Sequence, residues 1–490
     1  MPVALHKESR WLALVVLCAG MLMIILDQTI VNVALPSIQT DLGYSPAGLA
    51  WVVNAYLIAY AGLLLLSGRL GDLIGRKRVL MTGLAAFTAA SLLCGVSVSQ
   101  EMLIVARFLQ GVGGAMVSGL ILGMIVTTFP DAKEQARAIG VFSFVAAAGG
   151  SIGLLAGGVL TEALNWHWIF FVNLPIGIAA LVLSQRLIPS DPGIGLGAGA
   201  DAIGATLITA ALMLGVYAIV GIAEPDRSAE QTAILGTLGV LSLIGFLVRQ
   251  ATAEHALMPL SIFRSRTLSG ANLVQILMVA GMFGMFFLGT LYLQRVLGYS
   301  AMQIGLAFMP VAVAIGGLSI EISARLTTRF GGRAVLLPSL VSIFVGLLLF
   351  ARAPVEGQYV LDVLPVMLLI GIGGGLAFPA LTTLAMADAT PSNAGLVSGV
   401  VNTASQVGGA LGLAVLATLS SAQTQGLLDQ GADPLVALTD GYHLAFKVGA
   451  ALVLCAIVVA VFVLDSDRGE TSSASVEHAG FANERVENAE

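Results

Sequence analysis

Four ionisable side chains stand inside long apolar stretches of this 490-residue chain: Asp27, Arg107, Glu321 and Lys447. An ionised group at the centre of a bilayer costs about 2.5–3.5 kcal/mol, so each requires a partner or a purpose. Asp27 lies nine residues before Pro36, which sets it about 13 Å below that end of its helix at the α-helical rise. Arg107 follows Glu101 by six residues, a depth of about 9 Å on the same scale. A buried carboxylate beside a guanidinium is a switchable acid, because loss of water disfavours its charge and the cation favours it. One proton crossing 100 mV supplies about 2.3 kcal/mol, and one pH unit about 1.4 kcal/mol. Two readings of the pair stand. Asp27 carries protons inward, or Asp27 and Arg107 form a permanent ion pair that only joins helices.

Glu321, between Ile320 and Ile322, has Arg325 and Arg329 at i+4 and i+8. It reads as an interfacial salt bridge or as a second titrating site. Lys447 is expected to snorkel to water from near its helix end, and Glu162 to be solvated at the end of its span. No Ser/His/Asp or Cys/His constellation is present. His6, His255 and His478 fall in terminal or loop segments, and His167 and His443 near helix ends. No phosphate-binding Gly-x-x-x-x-Gly-Lys sequence occurs, so ATP hydrolysis is not the expected energy source. An enzyme, a metal site and a cofactor are therefore not expected. The residues best suited to line a substrate pathway are Gln28, Asn32, Trp51, Asn54, Tyr56, Gln110, Met282, Phe286, Tyr292, Gln294, Asn402 and Gln406. Aromatic faces and adaptable methionines with so little charge suit bulky hydrophobic, amphiphilic or cationic small molecules rather than sugars or phosphates.

The elements that position these residues follow from composition. Only 10% of residues are charged, 57% are hydrophobic, and the mean hydropathy is +0.95. A soluble domain carries about a quarter charged residues, so the outer surface of this chain faces lipid. At about 20 apolar residues per crossing, about fourteen spans are expected, near 11–35, 47–67, 79–98, 102–126, 136–160, 166–187, 202–222, 231–248, 268–292, 302–322, 334–351, 361–384, 395–420 and 441–464. With the N-terminus inside, seventeen Lys and Arg fall in inner segments and three in outer loops, which sets both termini in the cytoplasm. The net charge of −6 sits mostly in the 26-residue tail from Asp465. With no basic patch, nucleic-acid binding is excluded. Three cysteines inside spans predict no disulfide, and the first span reads as a retained helix rather than a signal peptide.

The chain also repeats itself. Gly68-Arg69-Leu70 to Gly75-Arg76-Lys77 matches Ala324-Arg325-Leu326 to Gly331-Gly332-Arg333 at an offset of 256. Gly111-Val112-Gly113-Gly114 matches Gly371-Ile372-Gly373-Gly374 at 260, and Gly149 and Gly153 match Gly408 and Gly412 at 259. Parallel repeats of this kind place a binding site near the midplane, between halves that rock against each other. Within them, Gly149, Gly153, Gly157 and Gly158 permit close helix packing in lipid. Met367 stands where the repeat would place Arg107, so the ionisable chemistry is one-sided.

Five stretches carry a family resemblance: Leu26-Asp27-Gln28-Thr29-Ile30-Val31-Asn32 through Pro36, Gly68-Arg69-Leu70-Gly71-Asp72 with Gly75-Arg76-Lys77, Arg107-Phe108-Leu109-Gln110-Gly111, Trp166 through Gly177, and Ala394 through Leu416. Together they resemble the major facilitator superfamily in its fourteen-span drug:H+ antiporter branch. The resemblance implies an all-α polytopic membrane protein of two pseudo-symmetric six-helix bundles, 1–190 and 261–465, with two further helices in 191–260 and an acidic, disordered tail at 466–490. It implies a proton-coupled antiporter of the bacterial inner membrane exporting drugs, with a single chain as the working unit. A dedicated exporter of an endogenous lipid, antibiotic or siderophore is the rival, and a membrane enzyme or receptor a more distant one. In that family the Gly68–Lys77 loop latches the cytoplasmic side shut through its acid, here Asp72. Simple anchoring of Arg76 and Lys77 at the inner leaflet is the alternative reading of the basic residues. The antiporter motif departs from its pattern at Leu154, where proline is usual, so the fifth helix is expected to be less kinked.

Overall fold

The computed structural model describes residues 7–129, 131–193, 195, 201–222, 228–254, 256–387 and 394–464. The tail expected to be disordered lies outside the described residues. Among those described, the chain is helical and no strand occurs. The helices are α1 (Lys7–Leu42), α2 (Trp51–Ile74), α3 (Arg76–Gly95), α4 (Gln100–Thr128), α5 (Ala132–Ala163), the single turn α6 (Trp168–Phe171), α7 (Asn173–Leu187), α8 (Ala202–Gly221) and α9 (Ala229–Thr252). There follow α10 (Arg266–Arg295), α11 (Ala301–Gly317), α12 (Ser323–Phe330), α13 (Gly332–Phe350), α14 (Leu364–Met386), α15 (Ala394–Asp429) and α16 (Pro434–Val463). Among the described residues, twelve helical segments are long and apolar enough to cross a membrane, and two shorter apolar helices, Ile152–Ala163 and Ala301–Gly317, lie within α5 and at α11. In such a setting every backbone polar group must be satisfied within the segment, which only a helix achieves alone.

Pro36 does not end α1, which continues to Leu42. Asp27 is therefore about 22 Å from the helix end, deeper than the expected 13 Å. Helices packed on all sides tolerate an internal proline because neighbouring groups re-satisfy the freed backbone. Lys447 likewise lies thirteen residues after Pro434, where α16 begins, about 20 Å into the helix rather than near its end. Its side chain is exposed. The α5 helix runs unbroken past Leu154.

The repeated glycines do equivalent work. A Cβ on Gly111 would lie 2.4 Å from Tyr56 O of α2, and one on Gly113 2.5 Å from Phe87 N of α3. Their counterparts Gly371 and Gly373 press in the same way on Val311 of α11 and on Ser339 and Ile343 of α13. Gly149, Gly153 and Gly157 seat α5 on Leu22, Leu26 and Ile30 of α1, while Gly408 and Gly412 seat α15 on Ile276 and Ala280 of α10. Gly158, grouped with the same motif, turns instead towards Ala301 at the start of α11. Gly75 and Gly331 occupy the corresponding turns with φ of +98° and +85°, a region that only glycine enters without strain.

The α8–α9 hairpin lies against the outside of this arrangement. Its α8 touches α2 through Gly62 and Thr209, and through Trp51 and Tyr217, whose rings are 5.6 Å apart. It reaches α15 where Thr418 donates to Ile219 O. At its base Asp201 caps α8 by accepting from Gly204 N, and it also accepts from Arg249 and Gln250 of α9, each at 2.9 Å. Burial alone pushes the Asp201 carboxyl up. The three donors together outweigh it and hold the group below the usual carboxylate range.

Candidate functional site

Asp27 and Arg107 meet. One Arg107 nitrogen (Nη1) donates to Asp27 Oδ2 at 2.6 Å, and the side chains are 0% and 1% exposed. Six elements contribute to their surroundings. Arg107 and Gln110, one turn apart and hence on one face of α4, both reach the carboxylate of α1. Gln110 Nε2 donates to Asp27 Oδ1 at 2.7 Å and to Ser91 Oγ of α3 at 2.8 Å, while its Oε1 accepts from Arg107 at 2.6 Å. Asn173, the first residue of α7, donates to Asp27 Oδ1 at 3.0 Å. Arg107 Nε donates to Val52 O of α2 at 2.9 Å. The guanidinium carbon lies 4.5 Å from the Tyr56 ring centre and 5.7 Å from that of Phe170 on α6. The stacked cation gains about 0.5–2 kcal/mol from such faces.

Removing two charges from water is tolerated only when geometry and hydrogen bonds satisfy both ions. Here the carboxylate accepts from three residues, and the guanidinium donates to three acceptors while resting on an aromatic face. Neutralising Asp27 would leave Arg107 with Val52 O, Gln110 and Tyr56. The cation therefore retains a seat when its counter-ion is lost, which is the chemical requirement for a carboxyl group that titrates in place.

Gln110 belongs to this network, not to a solvent-facing pathway, and is fully buried. Asn173, Ser91, Phe170 and Val52 O were not anticipated. Asn173 carried a signal, as an amide between apolar runs in the Trp166–Gly177 stretch. Tyr292 is also committed elsewhere, its hydroxyl donating to Pro354 O at 2.7 Å. Of the other pathway residues, Gln28 donates to the Tyr56 hydroxyl at 3.5 Å and Asn32 to Gln28 O at 3.1 Å. Trp51 and Met282 are buried, the Phe286 ring lies tilted 5.6 Å from that of Phe308, Gln294 is half-buried and Asn402 exposed. Asn54 is fully buried with both amide atoms unpaired among the described residues, and Gln406 Oε1 is buried and unpaired too. The Glu321 backbone lies in a π-helical turn, Leu318–Ile322, but its side chain lies outside the described residues.

The Gly68–Lys77 segment, expected as a loop, is the last turns of α2, the single turn residue Gly75 and the start of α3, and it is held from its own side of the molecule. Asp72 pairs with Arg76 at 3.0 Å, and Arg69 is half-buried. Asp191, in the segment after α7, caps the start of α3 by accepting from Arg76 N at 3.0 Å and Lys77 N at 3.4 Å. Lys77 Nζ donates to Gln185 O at 2.8 Å. This ammonium is thus engaged with α7 rather than serving only as a leaflet anchor. A Cβ on Gly71 would meet Leu120 at 2.2 Å, one on Gly75 Asp191 O at 2.3 Å, and one on Gly68 Gly119 O at 3.5 Å.

Helices long and apolar enough to cross a membrane, arranged in two glycine-seated repeats, define a polytopic membrane protein. The sequence profile described as Major Facilitator Superfamily matches residues 17–413. The chain belongs to that superfamily. It is 39% identical over 477 residues to the puromycin resistance protein pur8 of Streptomyces alboniger, covering 95% of this chain and 94% of that one. It is 36% identical to the cephamycin export protein CmcT of Amycolatopsis lactamdurans, covering 92% of each. Among solved structures, a bacterial homologue of the human lysosomal transporter Spinster superposes with a TM-score of 0.64 at 17% identity, over 93% of this chain and 97% of that one. The nucleoside transporter NupG gives 0.64 at 13% identity, over 93% and 100%. Both establish the fold alone.

Proposed function

We propose that the chain is a proton-coupled secondary antiporter of the bacterial inner membrane that exports hydrophobic, amphiphilic or cationic small molecules. The observation that carries this reading is the fully buried Asp27–Arg107 pair, whose cation keeps other partners when the acid is neutralised. Antibiotic resistance and export in the relatives' names support efflux as the direction and small organic molecules as the cargo. Aromatic and methionine side chains, with an unpaired amide at Asn54, support a site that seats a large apolar body and a few polar groups.

In this reading the chain crosses the membrane fourteen times, the α5 and α11 rods being spans beside the twelve apolar ones. Its bundles are 1–190 and 261–465, with 191–260 inserted between them, and a single chain is the unit. The distribution of Lys and Arg supports a cytoplasmic Asp72 end and an external Gly43 end. A proton reaches Asp27 from outside, the ion pair loosens, and substrate leaves as the halves rock. As the chain opens outward Asp72 exchanges Arg76 for a partner on the other half and shuts the cytoplasmic side, and on return that contact breaks and the proton is lost inward. The relative named for cephamycin export favours, as a second reading, a narrow exporter of one natural product.

The test is dye efflux from proteoliposomes under an imposed pH gradient. Acid outside relative to the cytoplasmic face is expected to drive accumulation on the external side, and a protonophore to abolish it. Efflux indifferent to the gradient would contradict the proposal.

A further inference from the structure

We infer that Glu162 is the releasable clasp that holds the external, Gly43 end of the transporter closed. Glu162 is exposed, as expected, and its Oε2 also accepts from Ser300 Oγ at 2.7 Å and from Met302 N at 2.9 Å. Ser300 is the N-cap of α11, joined to Gln303 in a capping box. Met302 N is one of the first-turn amides that no intrahelical carbonyl can satisfy. An acid in the last turn of α5 sits at the negative end of its own helix, where it is disfavoured, and it is stabilised here by the positive end of another. Its favourable interactions therefore come from across the seam between the repeats, and they exist only while that seam is shut.

The seam at this level is in backbone contact. A Cβ on Gly158 would lie 2.8 Å from Ala301 O, and one on Gly305 2.7 Å from Leu154 O. Arg295 on α10 donates to Gln39 on α1 at the same end, a second tie between the repeats. A ligand or contact shifts a two-state equilibrium only by its differential stabilisation of the two states, and Glu162 has that property by geometry. Glycines shape the seam, and the carboxylate weights it. The inference rests on the alternating-access reading, which dye efflux in the same proteoliposomes tests separately.

The experiment uses the full chain with spin labels at Val98 and Val360, both exposed. Val98 lies in the connection between α3 and α4 and Val360 in the π-helical segment Tyr359–Val363 that leads into α14, both at the Gly43 end and one in each repeat. Cys455, exposed, is replaced by alanine, while Cys18 and Cys94 are buried. Inter-label distance distributions are recorded for wild type, Glu162→Ala, the conservative Glu162→Gln and the control Glu101→Ala. Loss of two charge-assisted hydrogen bonds at an accessible site is expected to raise the long-distance, externally open fraction about three- to ten-fold in Glu162→Ala, with Glu162→Gln between it and wild type. Glu101→Ala should leave the distribution unchanged. An unaltered distribution in both Glu162 variants would overturn the inference, as would an equal shift in Glu101→Ala.

Discussion

Arg107 on α4 and Met367 on α14 occupy the same place in the two repeats. Each lies on a helix seated by matching glycines, Gly111 and Gly113 in one case and Gly371 and Gly373 in the other. Each is shielded, at 1% and 0% exposure. Around Arg107 the Asp27, Gln110, Tyr56 and Phe170 side chains and Val52 O converge, whereas Met367 lies in the apolar core with Val363, Val366 and Ile370. Matching glycine seats thus serve two chemistries. The second repeat shows that this glycine-seated packing does not itself require an ion pair. A buried ion pair is weak evidence for stability in any case, since an apolar replacement often does as well.

Breaking the comparison from the charged side gives the largest effect. Arg107→Met places the second repeat's residue in the first and leaves Asp27 buried without its cation. A loss of about 3–5 kcal/mol is expected in denaturation of the purified protein, together with loss of gradient-driven efflux. The double variant Asp27→Leu/Arg107→Met should recover much of that stability and none of the transport. The reverse change, Met367→Arg, buries a cation with no acceptor prepared for it. It is expected to cost about 2.5–3.5 kcal/mol, visible as reduced membrane insertion.

Asn173→Ala removes one of three donors to Asp27 and no charge. A cost of about 1–3 kcal/mol is expected, with the pH dependence of efflux displaced towards higher pH because the carboxylate is less well solvated. An unchanged pH profile would count against Asn173 as a partner of the titrating form.

The smallest effect concerns the pair that clamps the inserted hairpin. Asp201–Arg249 resembles Asp27–Arg107 in type, but Arg249 is 39% exposed, so water and salt screen it. The folded Asp201 carboxyl is held below its ordinary value, so its contribution is fully present above the unfolded pKa and is lost as pH falls through the folded one. Asp201→Asn is expected to lower stability by no more than about 1 kcal/mol at neutral pH. The difference from wild type should begin to shrink as pH falls past about 4 and disappear only once pH has fallen through the lower folded value. A difference that persisted there would contradict the assignment.

Much of this was legible from residue types and spacing. Apolar run lengths located the helices, and glycine offsets matched contacts that the two repeats make in the same way. A depth calculation from either helix end paired Asp27 with Arg107, although it misjudged where α1 stops, because proline ends a helix in water more readily than within a packed bundle. The convergence of Gln110, Ser91 and Asn173 was not legible. Helical periodicity says which residues share a face, not which faces of four helices meet. Glu162 is exposed, as an acid at a helix end is expected to be, but its two partners at the start of α11 were not legible, because only the fold brings that helix start beside it. Asp191 lies in a Pro- and Gly-containing connection with no periodicity, and only the fold brings it to the start of α3.

The central claim, that Asp27 carries the proton, is tested most directly by Asp27→Asn in proteoliposomes, with substrate binding and pH-driven efflux measured on one preparation. The isosteric amide retains a hydrogen-bonding group beside Gln110 and Asn173 and abolishes titration. Substrate binding should remain measurable while the imposed pH gradient drives no efflux. Gradient-driven efflux at the wild-type rate would contradict the account and leave Asp27–Arg107 as a structural ion pair.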